Sequence, residues 1–240
     1  MQRLDKELVE RGLVQSRSQA ENLIELGSVK VDGKAIRKPA FIVHAEAKIK
    51  VDTKNQYVSR AALKLKSASQ KLKVDYNGKT ILDVGSSTGG FTQYALQRGA
   101  VKSIAVDVGT NQLHPSLRGD ERIMLLEQTD IRDLSPEVTT EADIAVCDVS
   151  FVSLRDILPS VKKLMTKDGA VVLAMVKPQF EAGNASKHKG VIKNDSVRRK
   201  ILKDFEQWAK RDFVILDKAD SEVSGKKGNT ERFYLLKPIS

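Results

Sequence analysis

The chain holds a single cysteine, Cys147, and only three histidines, His44, His114 and His188, in 240 residues. One thiol cannot close an internal disulfide, and neither residue type is plentiful enough for a thiol-rich or histidine-rich metal centre. A cytoplasmic protein without metal is the expectation. Long apolar runs are missing too: none approaches the roughly 20 residues that span a bilayer. The opening Met1-Gln2-Arg3-Leu4-Asp5-Lys6 has no apolar core of a signal peptide. Negative charge is in deficit. Against 41 Lys and Arg stand 31 Asp and Glu, a formal net charge of +10, which favours a polyanion such as nucleic acid or an anionic membrane surface.

Two familiar nucleotide-binding signatures also fail, and they fail in the same informative stretch, Thr80-Ile81-Leu82-Asp83-Val84-Gly85-Ser86-Ser87-Thr88-Gly89-Gly90-Phe91. Gly85 and Gly90 have the spacing of a P-loop, but Phe91-Thr92 stand where Lys and Ser/Thr would reach phosphate and Mg²⁺. Ser87 holds the second glycine position of the dinucleotide fingerprint G-x-G-x-x-G. What is present is an apolar strand emptying into a glycine loop that opens a helix, the turn that builds a ligand crevice at the carboxyl end of an α/β sheet. A second acid, Asp107, ends the next apolar run, Ser103-Ile104-Ala105-Val106. An acid there suits ribose hydroxyls, while Asp83 suits a cationic amino-acid moiety. Together they point to S-adenosylmethionine. The expected cofactor contacts are Asp83, Gly85, Ser86, Ser87, Thr88, Gly89, Gly90, Phe91, Asp107, Asp130, Ile131 and Asp148.

Two modules follow from the patterning. Residues 1–56 hold a helical pattern (Leu4, Leu8, Val9) broken at Gly12, a second helix from Ser18 to Leu26 closed by Gly27, then short strands to Val51 and a polar linker from Asp52 to Gln56. Residues 57–240 open with a helix expected over Tyr57 to Lys73. Strands are expected at Ile81–Gly85, Ser103–Val108, Ile123–Glu127, Asp143–Val149, Ala170–Val176, Phe213–Ala219 and Arg232–Leu236. Helical patterns near Thr92–Arg98, Leu154–Met165 and Val197–Lys210 alternate with them, which predicts a parallel, doubly wound sheet. Three strand ends carry residues with chemistry: Asp148, Lys177 and Glu231. Pro178 biases Lys177 toward an extended conformation, aiming it out of its strand.

These residues fall in a recognisable order. Arg3-Leu4-Asp5, Ser16-Arg17-Ser18-Gln19-Ala20 and Val29-x-Val31-x-Gly33 resemble the S4 RNA-binding domain. Tyr57-Val58-Ser59-Arg60-Ala61-Ala62-x-Lys64, Asp83-Val84-Gly85-x-Ser87-Thr88-Gly89-Gly90-Phe91, Cys147-Asp148-Val149-Ser150-Phe151, Val176-Lys177-Pro178-Gln179-Phe180-Glu181 and Gly228-Asn229-x-Glu231 resemble the TlyA (haemolysin A) family. The resemblance implies an α/β fold: a Rossmann-like class I methyltransferase sheet, FtsJ-like, behind a small N-terminal α+β S4 domain. It further implies 2′-O-methylation of ribosomal RNA, on cytidine, with ribosomal RNA or subunits as partner. The family's Lys-Asp-Lys-Glu tetrad falls on Lys64, Asp148, Lys177 and Glu231. Two departures are a missing tryptophan after Leu113 and Asp130 where asparagine is frequent.

A ribose hydroxyl is a poor nucleophile, so the reaction needs alignment and help with one proton. Lys177 is the candidate base, with Lys64 steadying the developing alkoxide and Asp148 and Glu231 orienting the amines. A purely orienting, charged Lys177 stays open as the alternative. Candidate RNA contacts are Arg3, Arg17, Lys30, Arg60, Lys66, Lys187 and Lys189, positioning phosphates without reading sequence. Two other classes stay open on sequence alone: a non-catalytic RNA-binding assembly factor, and a membrane-lytic protein.

Overall fold

A computed structural model describes every residue except Gln15, 53–56, Thr140, 184–190, Lys193, Ser224, 226–227 and Ser240, and omits the side chain of Ser18. Most of the expected linker, and the candidates Lys187 and Lys189, therefore lie outside the described residues. The chain divides into two compact units, Met1–Arg60 and Ala61–Ser240.

In the first unit, β1 (Gln2–Arg3) leads into α1 (Leu4–Glu10), α2 (Arg17–Leu26), β2 (Val29–Val31), β3 (Lys34–Ile36), β4 (Ile42–Val43) and β5 (Ile49–Val51). Ser16 caps α2 by accepting from the Gln19 amide at 3.2 Å, and Gly27 ends it in the left-handed conformation at φ 79°, the turn that favours glycine. Strands β3, β2 and β5 form an antiparallel sheet, and β1 pairs with β4. Leu4, Leu8, Ile24, Val29 and Val43 meet in one apolar core. Asp5, fully buried, accepts from Arg3 at 2.8 Å and from Arg17 at 2.9 Å. Burial would raise its carboxyl, but the two guanidinium groups overcome that and hold it at about 2.

The second unit runs α3 (Ala61–Leu72), β6 (Thr80–Val84), α4 (Gly90–Gln97), β7 (Lys102–Val106), β8 (Ile123–Leu126), β9 (Ile144–Cys147), α5 (Leu154–Leu164), β10 (Val171–Val176), α6 (Pro178–Glu181), α7 (Asp195–Ala209), β11 (Phe213–Asp220) and β12 (Arg232–Pro238). Seven strands lie in the order β11-β12-β10-β9-β6-β7-β8. The central strands β6, β9 and β10 are almost wholly buried, as expected for strands covered on both faces. From β6 the chain steps outward to β7 and β8, then returns to β9 on the other side of β6. That reversal leaves a crevice beyond the carboxyl ends of β6 and β9.

Two expectations need correction. The sheet is mixed, since β12 runs antiparallel to both β10 and β11. Residues 221–231 contain no helix among those described, and a parallel return needs a longer crossover, usually helical. The first helix also begins at Ala61 and not at Tyr57. The preceding residues are held by the first unit: the Val58 carbonyl accepts from the Asn22 side chain at 3.0 Å, and Arg60 pairs with Glu25 at 3.0 Å.

Candidate active site

The glycine loop leaves β6 at Gly85, whose φ of 81° ends the strand one residue earlier than the apolar pattern suggests. A Cβ at Gly85 would stand 2.7 Å from the Asp148 carbonyl oxygen. Backbone from β6 and from the end of β9 is thus in contact at the switch point, and only glycine fits. Ser87 also takes a left-handed conformation, φ 47°, and its amide donates to Asp107 Oδ2 at 2.7 Å. Gly109 N donates to the other oxygen of Asp107 at 2.7 Å. These turns surround a pocket of about 380 Å³, lined by Gly85, Ser87, Asp107, Asp130, Ile131 and Asp148 among the expected residues.

Other expected contacts stand back from that lining. Asp83 is fully buried and accepts from Thr92 N at 2.9 Å and Thr92 Oγ1 at 2.7 Å. It fastens the start of α4 to β6. Burial pushes its carboxyl up to about 7, against those two hydrogen bonds, which favour the anion. Phe91 is buried against Phe233. Ser86, Thr88, Gly89 and Gly90 shape the turn: Gly89 N donates to the Ser86 carbonyl at 2.8 Å, the Thr88 carbonyl accepts from His114 N at 3.3 Å, and Gly90 opens α4. Asp130 lines the pocket, but both its oxygens accept from the Arg132 guanidinium, at 2.9 and 2.6 Å, which keeps its carboxyl below the usual range.

The tetrad is assembled as two ion pairs. Lys177 Nζ lies 2.5 Å from Asp148 Oδ1 and 2.7 Å from Ser150 Oγ. Lys64, from α3, lies 2.6 Å from Glu231 Oε2. All four are largely buried. The register Val176↔Arg232 sets Glu231 beside Lys177 at the next position of the ladder, so the sheet brings both pairs to one edge. Lys177 is extended, φ −105° and ψ 102°, as Pro178 dictates. Lys177 thus meets Asp148, and Lys64 meets Glu231, one acid to each amine.

Several pocket-lining positions are absent from the contacts expected from sequence. Thr129, Arg132, Val149, Ser150 and Val152 line the pocket; apolar valines carry no chemical signal in a sequence, and Ser150 shows its part only once Lys177 is seen to reach it. Phe151 is 93% exposed with φ 66°, a conformation that costs a β-carbon residue about 1–2 kcal/mol. Its ring lies 5.4 Å from that of Phe180. Of the RNA candidates, Arg3 and Arg17 turn to Asp5 and Arg60 to Glu25, while Lys30 is exposed and Lys66 half-buried.

Strand order, switch-point pocket and strand-end acids define a methyltransferase sheet. Residues 57–237 match the FtsJ-like methyltransferase family, to which the chain belongs, and residues 2–49 match the S4 domain. The chain is 39% identical over 240 residues, 98% of its length and 89% of the relative's, to the 16S/23S rRNA (cytidine-2′-O)-methyltransferase TlyA of Mycobacterium tuberculosis. Over 235 residues it is 37% identical to Hemolysin A of Brachyspira hyodysenteriae, covering 95% and 97% of the two chains. It is a member of this TlyA family. A solved structure of a Streptococcus thermophilus protein superposes with a TM-score of 0.75 at 35% identity, covering 99% of this chain and 88% of the other. Among the described residues no helix is long and apolar enough to cross a membrane, and no cluster of metal-ligating side chains occurs.

Proposed function

We propose that the protein transfers a methyl group from S-adenosylmethionine to the ribose 2′-hydroxyl of a cytidine in ribosomal RNA. One observation carries the reading: the Asp148–Lys177–Ser150 cluster stands at the wall of the pocket, since Asp148 and Ser150 both line it. The pocket suits the cofactor. Val106, Ile131, Val152 and Ile157 offer an apolar slot for a flat ring, Asp107 offers a carboxylate to ribose hydroxyls, and Gly85 leaves room for close approach. When bound, the cofactor supplies an electrophilic methyl on a positively charged sulfur, which leaves as a neutral thioether.

The chain's own work is then to hold the hydroxyl in line and take its proton. Asp148 and Lys177 act as one proton-holding unit. When the proton rests on Asp148, the free amine of Lys177 accepts the hydroxyl's proton, which leaves a protonated Asp148 beside an ammonium; release of the Asp148 proton to water then restores the ion pair. Ser150 fixes the direction of Nζ, and Lys64, held by Glu231, lends positive charge to the oxygen as it loses its proton. Phe151 offers an exposed ring beside this cluster, a surface for an unstacked base.

The test is methyl transfer from radiolabelled cofactor to ribosomal RNA or subunits from cells lacking this gene, followed by mapping of the modified sugar. Incorporation at a cytidine 2′-oxygen is expected. Label found only on protein, or on a base, would overturn the reading.

A further inference from the structure

Asp148 and Lys177 sit on different strand ends, so their contact depends on how the segment after β9 lies on the turn after β10. One side chain ties the two together. Glu181, the last residue of α6, has a side chain only 1% exposed that accepts from the Ser153 hydroxyl at 2.6 Å and from the Leu154 amide at 2.8 Å. Ser153 is the N-cap of α5, and its Oγ accepts in turn from Arg155 N at 3.1 Å. The first-turn amides of a helix have no partner inside the helix and carry its positive dipole end, so a carboxylate from a neighbouring element is held there by both charge and hydrogen bonds. The Arg155 guanidinium adds a third contact at 3.5 Å. The Phe151–Phe180 ring contact joins the same two segments.

We propose that Glu181 is a positioning residue for methyl transfer: it clamps the Val149–Ser153 segment onto α6 and thereby fixes Ser150 and Asp148 relative to Lys177. It touches neither substrate nor cofactor. The inference rests on the reaction proposed above. It differs from a general role in folding because the clamp orients one segment, whereas α5 and β10 are held by the apolar core through Leu154, Ile157, Leu158 and Val176.

Full-length Glu181→Ala and Glu181→Gln test it by single-turnover methyl transfer at saturating cofactor and ribosomal RNA, with calorimetry giving cofactor stoichiometry. The alanine variant should bind cofactor at full stoichiometry yet transfer methyl at least roughly tenfold more slowly, the scale of a displaced reacting group. The glutamine variant should recover most of the rate: its Oε1 still accepts from Leu154 N, and its amide donates to Ser153 Oγ. A rate within twofold of wild type for Glu181→Ala, a glutamine variant as slow as alanine, or a loss matched by missing cofactor sites would overturn the proposal. Hydrogen exchange over residues 149–156 reads the clamp without activity, with faster exchange expected in Glu181→Ala and unchanged exchange refuting it. If wild type transfers no methyl to ribosomal RNA, the reaction fails while this measurement still judges the clamp.

Discussion

Lys177 is the residue on which two accounts of the chemistry part. Its Nζ touches Asp148 and Ser150, a geometry that serves both a proton acceptor and an orienting cation. Lys177→Ala should abolish methyl transfer with cofactor binding intact, a loss on the order of 10²–10⁴ for a positioned base. Lys177→Arg separates the accounts, because a guanidinium keeps its proton: single-turnover activity should fall nearly as far as with alanine, and near-normal activity would demote Lys177 to a cation. Asp83 gives a second residue-scale prediction. Burial raises its carboxyl to about 7 from an ordinary value of 3.8, so between those values the folded chain holds a proton that the unfolded chain has lost. Stability should therefore decline as pH rises from about 4 to about 7 and the penalty stay constant above. Asp83→Asn, which keeps an acceptor for Thr92, should flatten this part of the denaturation-midpoint profile; an unchanged slope would show that other groups set it.

At the scale of elements, the close approach of β6 and β9 can be isolated by comparing two glycines with similar backbone angles. Gly85 and Gly78 have φ of 81° and 69°, but a Cβ at Gly85 meets the Asp148 carbonyl oxygen at 2.7 Å whereas one at Gly78 meets nothing within 4 Å. Both alanine variants bear the left-handed strain; Gly85→Ala should lose about 1–3 kcal/mol more, the scale of overpacking, and should also weaken cofactor binding. Equal denaturation midpoints for the two would refute the contact. The same elements show what the sequence made legible. Central strands were readable because burial on both faces leaves near-continuous apolar runs, as in Val171–Val176, and the acids at their ends stood out against them. The direction of β12 was missed although the signal was there, in the lack of a helical pattern between Asp220 and Arg232. The true start of α3 was not readable, because Tyr57–Arg60 are withheld from the helix by Asn22 and Glu25, far back in the chain. Glu181 stands inside a motif that carries the family resemblance, yet the motif gives it no role, because its contacts with Ser153 and Leu154 are purely tertiary. The pairing inside the tetrad was also hidden, since residue types alone do not say which lysine meets which carboxylate.

At the scale of the whole molecule, the pocket and all four tetrad residues lie in the second unit, Ala61–Ser240, while the first unit contributes a different kind of surface. Residues 1–27 carry four Lys and Arg against five Asp and Glu, and residues 28–52 carry six against three. Arg3 and Arg17 are half committed to Asp5, so the first unit's excess charge lies toward its strands. Removal of residues 1–60 should leave cofactor affinity within about twofold, since no lining residue is lost, while RNA affinity at 0.1 M salt falls roughly tenfold or more. Because each phosphate contact releases counterions, the truncated chain should also show a shallower dependence of log affinity on log salt. Calorimetry with the cofactor and RNA binding across a salt series, on both chains, check this together. Equal RNA affinities with equal salt slopes would mean that the first unit makes no phosphate contacts. Lost cofactor binding would mean instead that the second unit depends on the first for its fold, and the division of labour drawn here would fall.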